Sequence, residues 1–387
     1  MKKKIVILDG YASNPGDLSW EELERLGDLT VYDRTPPELL AARIADAQVI
    51  FTNKVPLDAA AMQAAPRLEL IGLLATGYNI VDLDAARARG IPVCNIVGYS
   101  TGAVAQMTLA LLLELTQQVG QYNALVHRGD WTNCPDFCCL RAPLTELASK
   151  TMGLIGYGAI GQAVGRLALA LDMRLLVTAR HEKAVPEGAR YTTLDELLTQ
   201  SDVISLHCPL TPQSTRLIDA AALQKMKPGA LLLNTARGAL VDEQAVADAL
   251  HAGTLGGYGA DVVTVEPIPA GHPLLTAPRC ILTPHIAWAP KETRIRLLRR
   301  PPARYGRRAC IHAAFHTGYR RDHSVGAGAS LSGPPPRRAA HRLRRLSSPR
   351  QGREAPYRAA PAGAFGPRLL PLFRLCRAGK RYTGTFH

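Results

Sequence analysis

Over the first hundred residues, short β-rich apolar runs alternate with segments whose apolar positions fall on one helical face. The runs at 4–8 (KIVIL), 49–51 (VIF), 68–74 (LELIGLL) and 91–96 (IPVCNI) predict strands. Between them, SWEELERLG has Ser19 as N-cap with Glu22 closing a capping box, and PPELLAARIAD has prolines at its entry, so both predict helices. A long apolar helix is predicted over 101–119, followed by a loop-like stretch, HRGDWTNCPDFCCLRAP. The alternation then restarts, with strands at 152–155, 175–178, 203–206, 230–234, 255–261 and 280–283, and helices from 160 and over 194–199, 219–226 and 242–251. Strands alternating with helices imply parallel sheets covered on both faces, here two doubly wound α/β domains with a cleft between them.

The 387 residues, 47% of them hydrophobic, are enough for two cores. No apolar run reaches the ~18 to 20 residues of a membrane span, because even 104–115 carries Gln106 and Glu114. The basic start MKKK leads into a first strand that meets Asp9, which is not the pattern of a signal peptide. A cytoplasmic protein is expected. The net charge of +14 would suggest nucleic acid, but from Arg299 onward nineteen Arg and one Lys face only Asp322 and Glu354. That segment carries +18 and leaves −4 for the first 298 residues, with few aromatics and no recognisable nucleic-acid module, so no nucleic-acid partner is expected. Of eight cysteines only Cys134, Cys138 and Cys139 cluster, without a fourth ligand or paired C-x-x-C elements. Reduced thiols and no metal are expected.

Gly156, Gly158 and Gly161 in GLIGYGAIGQAVG have G-x-G-x-x-G spacing between a predicted strand and a predicted helix. Gly156 permits the tight turn, Gly158 admits a pyrophosphate to the backbone, and Gly161 lets helix and strand pack closely, with Ala159 and Ile160 at the helix entry. Such loops usually have an acidic residue after the second strand, which holds the adenine ribose. In LVTARHEK that position falls at or next to Ala179, and Thr178, Ala179, Arg180 and His181 offer no carboxylate. Arg180, with Lys183 near it, suits a 2′-phosphate, while Glu182 could bend back to the ribose. NADP is therefore expected, alone or alongside NAD.

Three further strand ends carry reactive side chains: Arg237 in NTARGALVDE, Asp261 and Glu266 in GADVVTVEPIP, and His285 in LTPHIAWAP. Arg237 can hold a carboxylate and polarise the adjacent carbonyl, His285 can exchange a proton with that carbonyl oxygen, and Glu266 can orient the imidazole. Together they suit hydride exchange between a 2-keto acid and a 2-hydroxy acid.

These stretches, with LLATGYNIVDLDAA, STGAVAQMTLALLL, HCPLTPQSTRLID and DVVTVEPIPAGHPLL, resemble the D-isomer-specific 2-hydroxyacid dehydrogenases over about residues 3–298. WTNCPDFC and DVVTVEP are most similar to the glycerate dehydrogenase / hydroxypyruvate reductase branch. The resemblance implies a flavodoxin-like substrate domain, 1–97 plus 287–298, and an inserted Rossmann domain, 98–286. It implies Arg237, Glu266 and His285 as the catalytic set, and Ala75, Thr76 and Gly77 on the substrate carboxylate. It also puts Asp261 on the nicotinamide carboxamide and Val104, His207, Pro209 and Ala236 along the cofactor cleft. Lys54 is a substrate contact or a surface lysine, and Trp288 a pocket wall or a core residue. Expected partners are a small 2-keto acid and, if the fold is complete, a second copy of the chain. Hydroxypyruvate leads among substrates, with glyoxylate, phenylpyruvate-like acids and D-lactate behind it; a nucleotide-sensing corepressor-like binding protein is the alternative of a different class.

Beyond residue 298 the sequence departs from this pattern. KETRIRLL begins a helix that should complete the first domain, and RRPPARYG stops it with two prolines. A slipped reading frame or a genuine basic extension would both account for the Arg/Pro/Gly/Ala composition of 299–387. Disorder there, a first domain without its closing helix and an exposed apolar groove are expected.

Overall fold

The computed structural model describes residues 2–299, and the expectations for the segment from 300 onward lie outside the described residues. The first sheet holds β1 (Lys4–Ile7), β2 (Asp28–Val31), β3 (Val49–Thr52), β4 (Leu70–Leu73) and β5 (Val93–Cys94) in the order β2-β1-β3-β4-β5, all parallel. Successive side chains point to opposite faces of a strand, so a sheet covered on both faces needs continuous apolar runs. Val6, Leu8, Ile50, Ile71 and Leu73 accordingly join one core cluster, and Ile5, Ile7, Val49 and Phe51 the other. The strand order reverses between β1 and β3. There the Asp9 carboxylate accepts hydrogen bonds from the backbone N–H groups of Asn53 at 2.8 Å, Lys54 at 2.6 Å and Val55 at 3.3 Å. Asp9 thus takes up the backbone donors at this switch point and, with Lys54 and Asp58, lines the cavity that opens beside it.

The second sheet runs β12-β11-β10-β9-β6-β7-β8 and is also parallel throughout. Its strands are β6 (Thr151–Ile155), β7 (Arg174–Thr178), β8 (Ala189–Tyr191), β9 (Val203–Leu206), β10 (Ala230–Asn234), β11 (Leu255–Ala260) and β12 (Cys280–Leu282). The chain enters at β6, winds out to β8, then returns to β9 on the other side of β6. The carboxyl ends of β6 and β9 therefore flank an open crevice.

Several local expectations are revised. The helix at Ser19 is a single turn, Glu21–Glu24, whose N-cap is Trp20; Ser19 Oγ accepts from the Glu21 N–H at 3.1 Å and the capping box does not form. The predicted helix over 101–119 is two helices, Thr101–Gln117 and Val119–His127, because Gln118 takes a left-handed conformation with φ 51°. Its side-chain amide donates to the Pro143 carbonyl at 2.9 Å and ties down the following loop.

The helix Lys291–Arg299 docks on the first sheet despite its nine residues. Leu297 is fully buried in the cluster of Ile5, Ile7 and Leu23, and Arg294 donates to both oxygens of Asp17 at 2.6 and 2.8 Å. The expectation that this domain lacks its closing helix is corrected to that extent. Burying one leucine and satisfying one arginine fork needs only two turns. Among the described residues no helix is long and apolar enough to cross a membrane.

Candidate active site

The second sheet lines its reactive residues along one edge. Parallel register puts Ile155 beside Leu206, Leu206 beside Asn234, Asn234 beside Ala260 and Ala260 beside Leu282. The segments that leave these strands therefore lie in a row: the glycine loop after β6, His207 after β9, Arg237 after β10, Asp261 and Glu266 after β11, and His285 after β12.

At the glycine loop, Gly156 has φ +99°, and a Cβ there would stand 2.6 Å from the backbone of His207 and Cys208. A Cβ on Gly161 would overlap the Gly156 carbonyl. Gly158 differs, since a Cβ on it would meet nothing within 4 Å. It is the N-cap of the helix Ala159–Leu169, and no side chain caps that end. Uncapped N–H groups facing open space at a helix N-terminus fit a dinucleotide pyrophosphate. Burial pushes the His207 pKa down to about 4, so its imidazole is neutral beside this loop, and its Nε2 lies 2.9 Å from Ser205 Oγ. Val104 is buried in the first turns of Thr101–Gln117, Ala236 is half-buried, Pro209 is exposed, and Arg180 is exposed just past β7.

At the other end of the row, His285 Nδ1 and Glu266 Oε2 are 2.7 Å apart. Lys54 of the first domain brings its Nζ to 3.8 Å from the same oxygen. Burial works to raise the Glu266 pKa, but the hydrogen bond and charge of His285, with Lys54 behind them, outweigh it. The carboxyl is held below the usual glutamate range. His285 itself has φ 54°, a left-handed conformation that non-glycine residues seldom adopt. Asp261 holds the chain there. Its buried carboxylate accepts from Thr283 Oγ1 at 2.6 Å and from the N–H groups of Ile286 and Ala287 at 2.8 and 2.7 Å, on both sides of the histidine. The same carboxylate is the one that the family resemblance sets toward the nicotinamide carboxamide, and in the structure it also fixes the turn that carries His285.

Arg237 sits between the domains. The fully buried Asn234 builds its turn, accepting from the Ala236 N–H at 3.1 Å and donating to the Arg237 carbonyl at 2.9 Å. The guanidinium reaches Gly77 on the loop after β4, where a Cβ would overlap Nη2. A side chain at Gly77 would have to push the guanidinium aside, whereas glycine lets Arg237 come up against this loop. Thr76 is committed elsewhere, its Oγ1 donating to the Ile96 carbonyl at 2.9 Å. Gly77→Ala is expected to displace the guanidinium and raise the KM for a 2-keto acid about tenfold, because sub-ångström to ångström misplacement in a binding clamp costs up to ~10²-fold. Steady-state kinetics would check this, with the cofactor KM unchanged. Trp288 packs partly buried against the first-domain cluster of Ile5, Ile7 and Phe51, in keeping with the core placement that was one of its two expected roles.

The sequence reading missed Asn234, Thr283 and Asp9. A buried Asn closing an apolar strand was the available sign for the first. The other two act on groups distant in sequence, Thr283 on the Asp261 carboxylate and Asp9 on backbone N–H groups of residues 53–55. No cluster of His, Cys, Asp and Glu able to hold a metal occurs among the described residues.

A dinucleotide crevice that leads to an arginine and a His–Glu pair defines a nicotinamide-dependent oxidoreductase. Comparison with known proteins agrees: residues 109–287 match the family model described as D-isomer specific 2-hydroxyacid dehydrogenase, NAD binding domain. A hydroxypyruvate reductase of Blautia hydrogenotrophica is 49% identical over 300 residues, covering 76% of this chain and 93% of that protein. A glycerate dehydrogenase of Methylorubrum extorquens is 41% identical over 295 residues, covering 76% and 91%. An NADPH-dependent glyoxylate/hydroxypyruvate reductase of Sinorhizobium meliloti, solved with NADP and malonate, superposes with a TM-score of 0.67 at 29% identity, covering 77% of this chain and 91% of that one. The chain belongs to the D-isomer-specific 2-hydroxyacid dehydrogenases. It is an NAD(P)-dependent oxidoreductase of 2-hydroxy acids.

Proposed function

We propose that the protein interconverts hydroxypyruvate and D-glycerate, with glyoxylate as a second substrate. The observation that carries this reading is the convergence of Arg237, the Gly77 loop, Lys54 and the His285–Glu266 pair on one cleft beside the dinucleotide crevice. Similarity to a hydroxypyruvate reductase and a glycerate dehydrogenase over most of their length supports the substrate class. The bound nicotinamide supplies the hydride. Arg237 and the backbone of Ala75–Gly77 hold the substrate carboxylate, which orients the neighbouring carbonyl. His285, turned by Glu266 so that Nε2 faces the cleft, gives its proton to the carbonyl oxygen during reduction and takes it back during oxidation. The Glu266 carboxylate, bound to Nδ1, holds the ring in place for this exchange. Lys54 adds positive charge where an anionic substrate enters. Rates of NADPH oxidation with hydroxypyruvate, glyoxylate and phenylpyruvate test the reading. The highest kcat/KM is expected for hydroxypyruvate, and a preference for phenylpyruvate would overturn it. Tight NADPH binding without turnover of any 2-keto acid would instead favour the corepressor-like class.

We also propose NADPH as an accepted cofactor, on the exposed Arg180 just past β7 and the absence of a carboxylate from residues 178–181. Arg180→Asp is expected to cut kcat/KM for NADPH by ~10- to 100-fold, the worth of a charge-assisted hydrogen bond, and to spare NADH. If the unsubstituted enzyme prefers NADH tenfold or more, this part fails.

A homodimer is the assembly we favour. Val119, Trp131, Phe137 and Leu140 are exposed within one segment, Phe137 by 92%, and an apolar strip of this kind suits a subunit contact. A cytoplasmic location is proposed on the enzyme class.

A further inference from the structure

We propose that Glu243 is a positioning residue that grips the loop bearing Glu266 and so sets the Glu266–His285 contact; this rests on the reading of that pair as the acid–base machinery. Glu243 opens the helix Glu243–His251, but Asp242 already caps that helix by accepting from the Ala245 N–H. The Glu243 carboxylate turns instead to the loop after β11. Oε1 accepts the Thr264 N–H at 2.8 Å, and Oε2 lies 3.1 Å from His272 Nε2, with both side chains only 10% exposed. His272 Nδ1 accepts the Leu274 N–H at 3.3 Å, so Nε2 is the nitrogen that carries the proton and donates to Glu243.

Thr264 and His272 stand on either side of Glu266 in sequence, and one carboxylate thus holds the loop by both shoulders. The loop has a second close neighbour. Gly238, directly after Arg237, lies so close to the backbone of Val263 and Thr264 that a Cβ would overlap both. The loop is therefore held by both the turn of Arg237 and the helix of Glu243. A buried carboxylate that satisfies a backbone donor and a histidine at once is costly to remove, because its partners would then be unpaired.

The experiment compares Glu243→Ala, Glu243→Gln and Glu266→Gln in the full-length protein. Glu243→Ala is expected to lower kcat about tenfold or more, the cost of slight misplacement of a reacting group, and to leave NADPH affinity by fluorescence titration unchanged. It should also move the acid limb of the kcat–pH profile upward. The groups facing Glu266 are His285, Lys54 and the Val263 N–H, and they keep its carboxyl ionised below the usual glutamate range. A displaced Glu266 loses them, protonates at higher pH and stops supporting His285 sooner as pH falls. Glu243→Gln keeps an acceptor for Thr264 and should recover most of the turnover and the original acid limb.

Unchanged kcat and acid limb in Glu243→Ala overturn the proposal, as does a Gln variant as impaired as the Ala one. If Glu243→Ala fails to fold, His272→Ala releases one shoulder only and should shift the acid limb in the same direction, an unmoved limb counting against the proposal. Glu266→Gln separates the levels: wild-type turnover there removes the acid–base reading itself, whereas impairment there beside a normal Glu243→Ala removes only the positioning role.

Discussion

His285→Ala is expected to lower kcat by ~10² to 10⁴, the usual worth of a positioned general acid, with little change in NADPH affinity. The imidazole is bound through Nδ1 to Glu266, and no hydrogen bond joins it to the glycine loop among the described residues. Losing it removes the proton donor from the reduction and leaves the dinucleotide crevice between β6 and β9 as it was. Single-turnover rates together with cofactor titration would separate the two effects. Wild-type turnover in this variant would exclude His285 from the chemistry, and equal losses of rate and cofactor affinity would mean that the His285 turn supports the crevice as well.

Arg237→Met is the second substitution with a large expected effect, a fall in kcat/KM of ~10² to 10⁴ for any 2-keto acid. That magnitude corresponds to losing a bidentate, charge-assisted carboxylate contact at ~1.5 to 3 kcal/mol per hydrogen bond. The loss should appear in both KM and kcat, because the same fork orients the carbonyl for reaction. Arg237→Lys is expected to recover little, since an ammonium lacks the planar fork. Steady-state kinetics at fixed saturating NADPH checks both variants, and a change confined to the cofactor KM would put Arg237 on the wrong ligand.

The parts of the fold that were legible in the sequence are those where both faces of a strand are buried. β1, β3, β6, β9 and β10 are almost uninterrupted apolar runs, and such runs leave few alternatives. The edge strands β2 and β8 went unseen because DLTV and ARY are half exposed and short, with little apolar pattern. The break at Gln118 was hidden for a different reason. Apolar periodicity runs on through it, and the left-handed turn is fixed by a side-chain bond to Pro143, far along the chain.

The site shows the same division. Arg237, Glu266 and His285 could be placed at strand ends from local pattern, and the 2.7 Å contact between the last two follows from β11 and β12 being neighbours. Asp261 was seen, but its grip on residues 283–287 was not, because that depends on how the chain turns after β12. Glu243 was invisible for the same reason: its partners lie on a loop whose return path no periodicity encodes. Trp288 is three residues past His285 in sequence, yet the helix that follows carries it onto the first-domain core.

The bond between Arg294 and Asp17 joins positions 277 residues apart, and it has a consequence for biosynthesis. At ~5 to 20 residues per second, a ribosome needs roughly a quarter of a minute to a minute to reach the arginine after it has made the aspartate. Throughout that interval the face of the first sheet around Ile5, Ile7 and Leu23 lacks Leu297 and is open to water. The second sheet has no such wait, since β6 to β12 are contiguous in the chain. The nascent protein is therefore expected to complete its nucleotide-binding domain first, while its first domain stays unfinished until the helix Lys291–Arg299 emerges.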